Sequence, residues 1–279
     1  MYRVVAKEKL CPAIDFMKIE APTIARKAKP GQFVVIRIDE VGERIPLTLA
    51  DWDEKEGTIS LVAMQVGTTT YKLACLNAGD HILDLVGPLG LPSHIEKFGT
   101  VVCIGGGVGV APIFPIARAL RQAGNKVISI IGARSKDLLF WEDRLRSVSD
   151  ELIVTTDDGS YARKGVVTEP LKEVLTKGEQ VSRVIAIGPA IMMKFCSLTT
   201  KPFGVTTIVS LNSIMVDGTG MCGCCRVSVG GMTKFVCVDG PELDGHEVDW
   251  ELLFNRQRIY CDEEKQSMEL WKSCHCQRS

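Results

Sequence analysis

The sequence predicts a β barrel plus an α/β domain: a small antiparallel barrel, then a doubly wound parallel sheet, then a small cysteine-rich C-terminal module. Three observations predict this order. Short apolar alternations punctuated by Gly and Pro fill the chain from Met1 to Glu96. From Thr100 the rhythm changes to apolar runs alternating with amphipathic segments. After Ser210 glycine and cysteine become dense and regular periodicity is lost. The corresponding domains are 1–97, 98–210 and 211–279.

Barrel strands are expected at Val4 to Leu10, Ala13 to Ile19, Phe33 to Ile38, Thr58 to Met64 and Asp80 to Val86, each bounded by turn residues. Parallel strands are expected at Val101 to Ile104, Val127 to Ile131, Glu151 to Thr155, Val184 to Ile187 and Thr206 to Ser210. Helices are expected between them, near 111–123, 138–147, 167–176 and 190–199. The segment from Tyr260 to Ser279 is polar, with helical character, and reads as a mobile tail.

Composition narrows the function classes. The 279 residues are 46% hydrophobic and 24% charged, enough for two domains with real cores. A formal net charge of -1, with Lys and Arg interspersed among Asp and Glu, leaves no basic field for nucleic acid. The segment Met1 to Lys9 is charged throughout and has no secretory apolar core, so a cytoplasmic location is expected. The uncharged run from Thr100 to Ala117 is broken by glycines and by Pro112 and Pro115, and reads as strand, loop and helix rather than a membrane span. Eleven cysteines in such a chain point to reduced thiols and to metal or cluster ligation.

The cysteines of the third module carry the sharpest signal. Asp217, Cys222, Cys225 and Cys237 are separated by four, two and eleven residues. That reproduces the plant-type ferredoxin ligand spacing for a [2Fe-2S] cluster, with a carboxylate replacing the first thiolate. Gly218, Gly220 and Gly223 give the loop the freedom to wrap two irons. A structural zinc site built from Cys222, Cys224, Cys225 and Cys237 is the main alternative, and thiols that merely fill a core are another. Adjacent Cys224 and Cys225 are awkward co-ligands for one ion, and no second CxxC pair stands at zinc-ribbon spacing. Cys274-His275-Cys276 could ligate metal but has no partner pair.

Two turns of the parallel sheet are suited to a nucleotide. Gly105-Gly106-Gly107-Val108-Gly109-Val110-Ala111-Pro112 joins the first strand to a helix, where glycines admit a pyrophosphate and the helix start offers unpaired N–H groups. It differs from the G-x-G-x-x-G fingerprint in having Pro112 where the helix begins. Gly188-Pro189 follows the fourth strand, and both turns can line one crevice at the strands' carboxyl ends, although a tight turn or a helix start explains each alone. Arg134 ends the second strand, where it faces either a 2′-phosphate or solvent, and Asp157 lies in the Asx-type turn after the third.

In the barrel, Arg44-Ile45-Pro46-Leu47-Thr48 sets a fork-shaped cation and a hydroxyl on an extended, proline-stiffened segment. Arg suits a diphosphate and Thr can hydrogen-bond a ring nitrogen, while a surface Arg beside an edge-strand Pro is the plain alternative. Gly67-Thr68-Thr69-Thr70 begins a helix with free N–H groups and hydroxyls, a second diphosphate seat or simply a cap.

Taken in order, these segments resemble the ferredoxin–NADP reductase superfamily. The match comprises R-x-P-x-T at Arg44 to Thr48, G-x-x-T at Gly67 to Thr70, Gly87-Pro88-Leu89-Gly90 at a domain junction, the glycine loop at Gly105 to Pro112, and Gly188-Pro189. The cluster module narrows the resemblance to the branch holding the electron-transfer subunit of dihydroorotate dehydrogenase and the small subunit of NADH-dependent ferredoxin:NADP oxidoreductase, also described as a sulfide dehydrogenase subunit. The former carries four cysteines; Asp217 with three cysteines is similar to the latter.

The resemblance implies an FAD-binding barrel, with Arg44, Pro46, Leu47 and Thr48 touching FAD, Thr48 near flavin N5, and Gly67, Thr68, Thr69 and Thr70 at its diphosphate. It implies NAD(H) at Gly106, Gly107, Gly109, Arg134, Asp157, Gly188 and Pro189. It implies iron at Asp217, Cys222, Cys225 and Cys237, with Cys224 outside the ligand set. Hydride transfer to the flavin then needs positioning rather than a catalytic acid or base, and electrons pass singly through the cluster. The implied assembly is a heterodimer with a larger flavin and iron–sulfur subunit, through which ferredoxin is reached in electron bifurcation. A dihydroorotate dehydrogenase subunit and a non-catalytic redox sensor are the alternatives, and preference between NADH and NADPH stays open.

Overall fold

A computed structural model describes residues 1–275, with side chains through Ser273. The first unit is a seven-stranded antiparallel sheet built from β1 (Tyr2–Cys11), β2 (Ile14–Glu20), β3 (Phe33–Arg37), β4 (Ile45–Asp53), β5 (Thr58–Met64), β6 (His81–Ile82) and β7 (Asp84–Leu89), with short α1 (Pro22–Ala25) and α2 (Thr68–Cys75) between strands. Its order is β6-β1-β2-β5-β4-β3-β7. The two edge strands are adjacent in sequence, separated only by Leu83, whose N–H bonds the Ile38 carbonyl at 3.1 Å. The sheet therefore curls nearly shut on itself, and Met17, Ile36, Leu49, Ile59 and Leu61 fill it.

β4 runs through the segment read from sequence only as extended. Its Pro46 sits in a strand with neighbours on both sides, yet the pairing with β5 begins at Leu49, so Pro46 faces only Val35 of β3. The missing N–H thus falls where no ladder bond is due, and the proline is locally at an edge. The period of two sends Ile45, Leu47 and Leu49 inward and Arg44, Pro46 and Thr48 outward.

The second unit alternates strand and helix: β8 (Thr100–Gly106), α3 (Val110–Gln122), β9 (Lys126–Ala133), α4 (Glu142–Ser147), β10 (Glu151–Thr156), β11 (Arg163–Lys164), α5 (Thr168–Thr176), β12 (Val181–Ile187), α6 (Ala190–Thr200) and β13 (Thr206–Ser210). The helix expected over 138–147 is shorter. Trp141 adopts φ 57°, its ring packs edge-on against Phe16, Phe114 and Phe140, and the α-helix starts only at Glu142. α3 lies across β4, where Arg118 donates to the Asp51 carboxylate at 2.8 Å.

The third segment is not irregular throughout. It forms a hairpin of β14 (Arg226–Val229) and β15 (Met232–Phe235), a turn of helix α7 (Val236–Asp239), β16 (Glu242–Asp244), α8 (Trp250–Gln257) and α9 (Cys261–His275). β16 pairs antiparallel with β13, extending the nucleotide sheet to the order β11-β10-β9-β8-β12-β13-β16. The Ser93 hydroxyl bonds the Glu242 carboxylate and Leu91 N–H bonds the Gly240 carbonyl at 2.7 Å, so this segment also grips the end of the barrel. Burial raises the Glu242 carboxyl above its ordinary range, against the pull of the Ser93 hydrogen bond and the Arg183 charge. Cys274-His275-Cys276 has its side chains outside the described residues.

Candidate functional site

The cluster loop is held by its own backbone. The Asp217 carboxylate accepts from Thr219 N–H at 2.9 Å and Cys222 N–H at 3.0 Å, and these bonds, Thr219 first, keep it below the usual carboxylate range. The exposed Cys222 thiol is likewise lowered, first by the backbone N–H of Cys224. Cys225 and Cys237 differ in environment: both are buried, their sulfurs lie 3.2 Å apart, and burial pushes the Cys237 thiol up to about 12. Cys224 is half-buried, with its thiol raised by the Cys222 sulfur, and its carbonyl accepts from the Arg256 guanidinium at 2.9 Å.

Cys225 and Cys237 thus pair sulfur to sulfur, while Cys222 meets the Asp217 carboxylate through its N–H and the Cys224 thiol through its side chain. Among the described residues no three metal-binding side chains converge on one point. A two-iron cluster takes two protein ligands per iron, and the Cys225–Cys237 sulfur pair suits one of them. All described cysteines are free.

Gly218 fixes where this loop sits. With φ at +76°, it packs against the outer face of the barrel: a Cβ there would lie 2.7 Å from Leu89 Cδ1 and 2.9 Å from Val35 Cγ2. Val35 pairs with Pro46, and Phe33 with Thr48. The cluster loop consequently sits over β3 and β7, with β3 the hydrogen-bonded neighbour of the β4 strand that carries Pro46 and Thr48. Phe33 and Val35 share a core with Cys225, Cys237, Val227 and Trp250, so barrel and cluster module are one packed body at this point.

The second half of the barrel site is brought to the first by Glu43. Its carboxylate accepts from the Thr69 hydroxyl at 2.9 Å, tying the Arg44 segment to the opening turn of α2. Thr70 Oγ1 accepts from the N–H groups of Val66 and Gly67, both at 3.0 Å, and caps the helix from within. Space above Gly67 is open, with nothing within 4 Å of an added Cβ, and Arg44 is exposed. An exposed guanidinium, an open glycine and the unspent N–H groups of a first helical turn suit a diphosphate.

The nucleotide turns meet as expected from sequence. β8 and β12 are neighbours at the point where strand order reverses, the usual ligand crevice of such sheets. A Cβ on Gly188 would lie 3.0 Å from the Gly106 carbonyl, and one on Gly109 would lie 2.1 Å from the Ile187 carbonyl. Met192 covers both turns, its sulfur 2.2 Å from a Cβ position on Gly106. Pro189 stands at the N-terminus of α6 beside them. Arg134 and Asp157 are exposed at the ends of β9 and β10, joined where Asp157 N–H bonds Ala133 and Asp158 N–H bonds the Arg134 carbonyl, each at 3.1 Å.

Glu43, Met192, Arg256 and the Val35–Leu89 seat were not visible in the sequence as site residues. Glu43 had a signal, its place beside Arg44; the others depend on contacts distant in sequence.

A barrel joined to a switch-point crevice and to a cysteine-rich loop of candidate metal ligands matches an oxidoreductase-type electron-transfer subunit. Residues 103–197 match the oxidoreductase NAD-binding domain, and residues 212–249 match the iron–sulfur cluster binding domain of dihydroorotate dehydrogenase B. The chain belongs to the dihydroorotate dehydrogenase B electron-transfer subunit family. It is 51% identical over 266 residues to the dihydroorotate dehydrogenase B (NAD(+)) electron transfer subunit homolog of Thermotoga maritima, covering 95% of this chain and 94% of that protein. It is also 51% identical over 272 residues to an uncharacterized protein in the adh 3′ region of Clostridium beijerinckii, covering 95% and 92% respectively. A chain of the NADH-dependent reduced ferredoxin-NADP oxidoreductase, solved for insight into flavin-based electron bifurcation, superposes with a TM-score of 0.92 at 49% identity, covering 97% of this chain and 98% of that one. Such a subunit implies a larger catalytic partner. No described helix is long and apolar enough to cross a membrane.

Proposed function

We propose that this chain is the NADH-side subunit of an electron-bifurcating NADH-dependent ferredoxin:NADP oxidoreductase, working as a heterodimer with a larger flavin and iron–sulfur subunit. The observation that supports this reading is the seat of Gly218 on Val35 of β3 and Leu89 of β7, since β3 is the paired neighbour of β4. Bound FAD supplies conversion between a two-electron hydride and single electrons, and a [2Fe-2S] cluster supplies a one-electron relay. Arg44, with Gly67, Thr68, Thr69 and Thr70, holds the FAD diphosphate; Pro46 and Leu47 shape the strand, and Thr48 offers its hydroxyl to the flavin ring near N5. Gly106, Gly107, Gly109, Gly188 and Pro189 seat the NAD(H) pyrophosphate, and Arg134 and Asp157 flank its ribose. Asp217 and Cys222 hold one iron, Cys225 and Cys237 the other.

The test is NADH-driven dye reduction by the purified chain, with flavin, iron and sulfide measured alongside. Dye reduction with about one FAD and two irons per chain is expected; a colourless protein holding one zinc would sink the redox reading, and bound FAD without dye reduction would leave a sensor. The name of the Thermotoga relative favours a second partner, a dihydroorotate dehydrogenase. Asp217 in place of the first cysteine favours the oxidoreductase, and the identity of the co-purifying subunit decides.

The Gly218 seat gives a separate expectation. Gly218→Ala adds a methyl against Leu89 and Val35 at a positive φ, at a cost of about 1–3 kcal/mol, and lifts the loop from the barrel. NADH-driven dye reduction should persist while NADH-driven reduction of the cluster, followed by EPR, slows. Equal rates of cluster reduction in variant and parent would show that the seat does not set the coupling.

A further inference from the structure

The C-terminal segment is a helix docked on the candidate flavin site. α9 touches α2 through one face: the Ser267 hydroxyl lies 2.9 Å from the Thr68 hydroxyl, and the Trp271 and Tyr71 rings are 5.6 Å apart. Thr68 and Tyr71 are three residues apart on α2, and Ser267 and Trp271 four apart on α9, so two successive turns meet. Ser267, Met268 and Trp271 are half-buried, and no described residue of α9 is fully buried. A helix of 15 residues is marginal by itself, and its contacts with α2 include this hydroxyl pair and this ring pair. Both contacts fall on the turn of α2 that starts at the open Gly67 and is tied through Thr69 to Glu43.

We propose that α9 is a wall of the FAD site: Ser267 adds a hydroxyl beside Thr68 at the diphosphate seat, and Trp271 with Tyr71 closes that side of the pocket. This rests on the flavin reading above. Binding of FAD and docking of α9 then favour each other, because each orders a surface the other uses. The contacts that carry this proposal are with α2, so the expected effect is on flavin binding.

The experiment uses the full chain, stripped of flavin and titrated with FAD by fluorescence, beside Ser267→Ala, Trp271→Ala and the double variant. Iron and sulfide content report folding independently of flavin. The expected result is FAD affinity weakened about tenfold in the double variant, equivalent to about 1.4 kcal/mol, with iron content unchanged. Hydrogen exchange should also show amides 261–273 slowed by FAD. Affinity within twofold of the parent, tighter binding, or no FAD effect on those amides would each overturn the proposal, tighter binding marking α9 as an occluder. Failure of the unsubstituted chain to bind FAD at all would instead overturn the flavin reading, and α9's role with it.

Discussion

Cys237→Ser is expected to abolish the iron–sulfur absorption, and Cys225→Ser to do the same, whereas Cys224→Ser should leave the spectrum and the iron content nearly intact. The reason is placement rather than residue type. Cys225 and Cys237 are each 1% exposed, with sulfurs 3.2 Å apart, inside the core that contains Val227, Val236 and Trp250. A hydroxyl in either position loses the soft ligand for iron and, once the metal is gone, leaves a polar group in apolar surroundings at about 1–3 kcal/mol. Cys224 sits outside that core; what anchors it is the Arg256 bond to its carbonyl, which a side-chain change does not touch. Asp217→Ala should fall between, losing one ligand and the carboxylate that organises Thr219 and Cys222. Iron and sulfide per chain, with EPR, separate the cases. Retention of the cluster by Asp217→Ala together with its loss in Cys224→Ser would establish an all-cysteine frame instead.

How much of this could be read beforehand depends on the range over which each feature is determined. The cysteine spacing, the glycine loop and the barrel–then–α/β order are local patterns, so they are legible in the sequence. β4 was only half legible, because Pro46 breaks the strand signal and the outward Thr48 interrupts the apolar run. The helix near 138–147 failed at Trp141, whose aromatic contacts with Phe16 and Phe114 override a helical pattern. β16 has three residues and no alternation of its own; it is a strand because Ile208, Val209 and Ser210 offer it an edge. The docking of α9 was hidden for a similar reason, since Ser267 and Trp271 read as parts of a polar tail until Thr68 and Tyr71 lie opposite. What sequence could not supply was the relation between candidate centres: Gly218 of the cysteine loop packs on Val35, whose strand partner is Pro46, three residues from three separate segments.

Gly109→Ala should cut NADH-dependent dye reduction about a hundredfold while flavin and iron stay bound, since misplacement of reacting groups by about 1 Å can cost about that much. Conformation is not the obstacle, because Gly109 has φ −62° and any residue adopts it. Space is: an alanine Cβ would stand 2.1 Å from the Ile187 carbonyl oxygen and 2.6 Å from its carbon, both backbone atoms at the end of a buried strand. A flexible side chain could swing aside; β12 can move only with its ladder to β8 and β13. Relief therefore comes from shifting the start of α3 away from Gly188, which opens the floor on which the pyrophosphate would rest. Gly107 provides the contrast, with a positive φ of 54° but nothing within 4 Å, so Gly107→Ala carries backbone strain of about 1–2 kcal/mol without the collision. Steady-state kinetics on both variants, with flavin and iron content as the folding control, should show a raised KM and lowered kcat for Gly109→Ala and a smaller loss for Gly107→Ala. Parent-like kinetics in Gly109→Ala with cofactors retained would place the nucleotide elsewhere than the β8–β12 crevice.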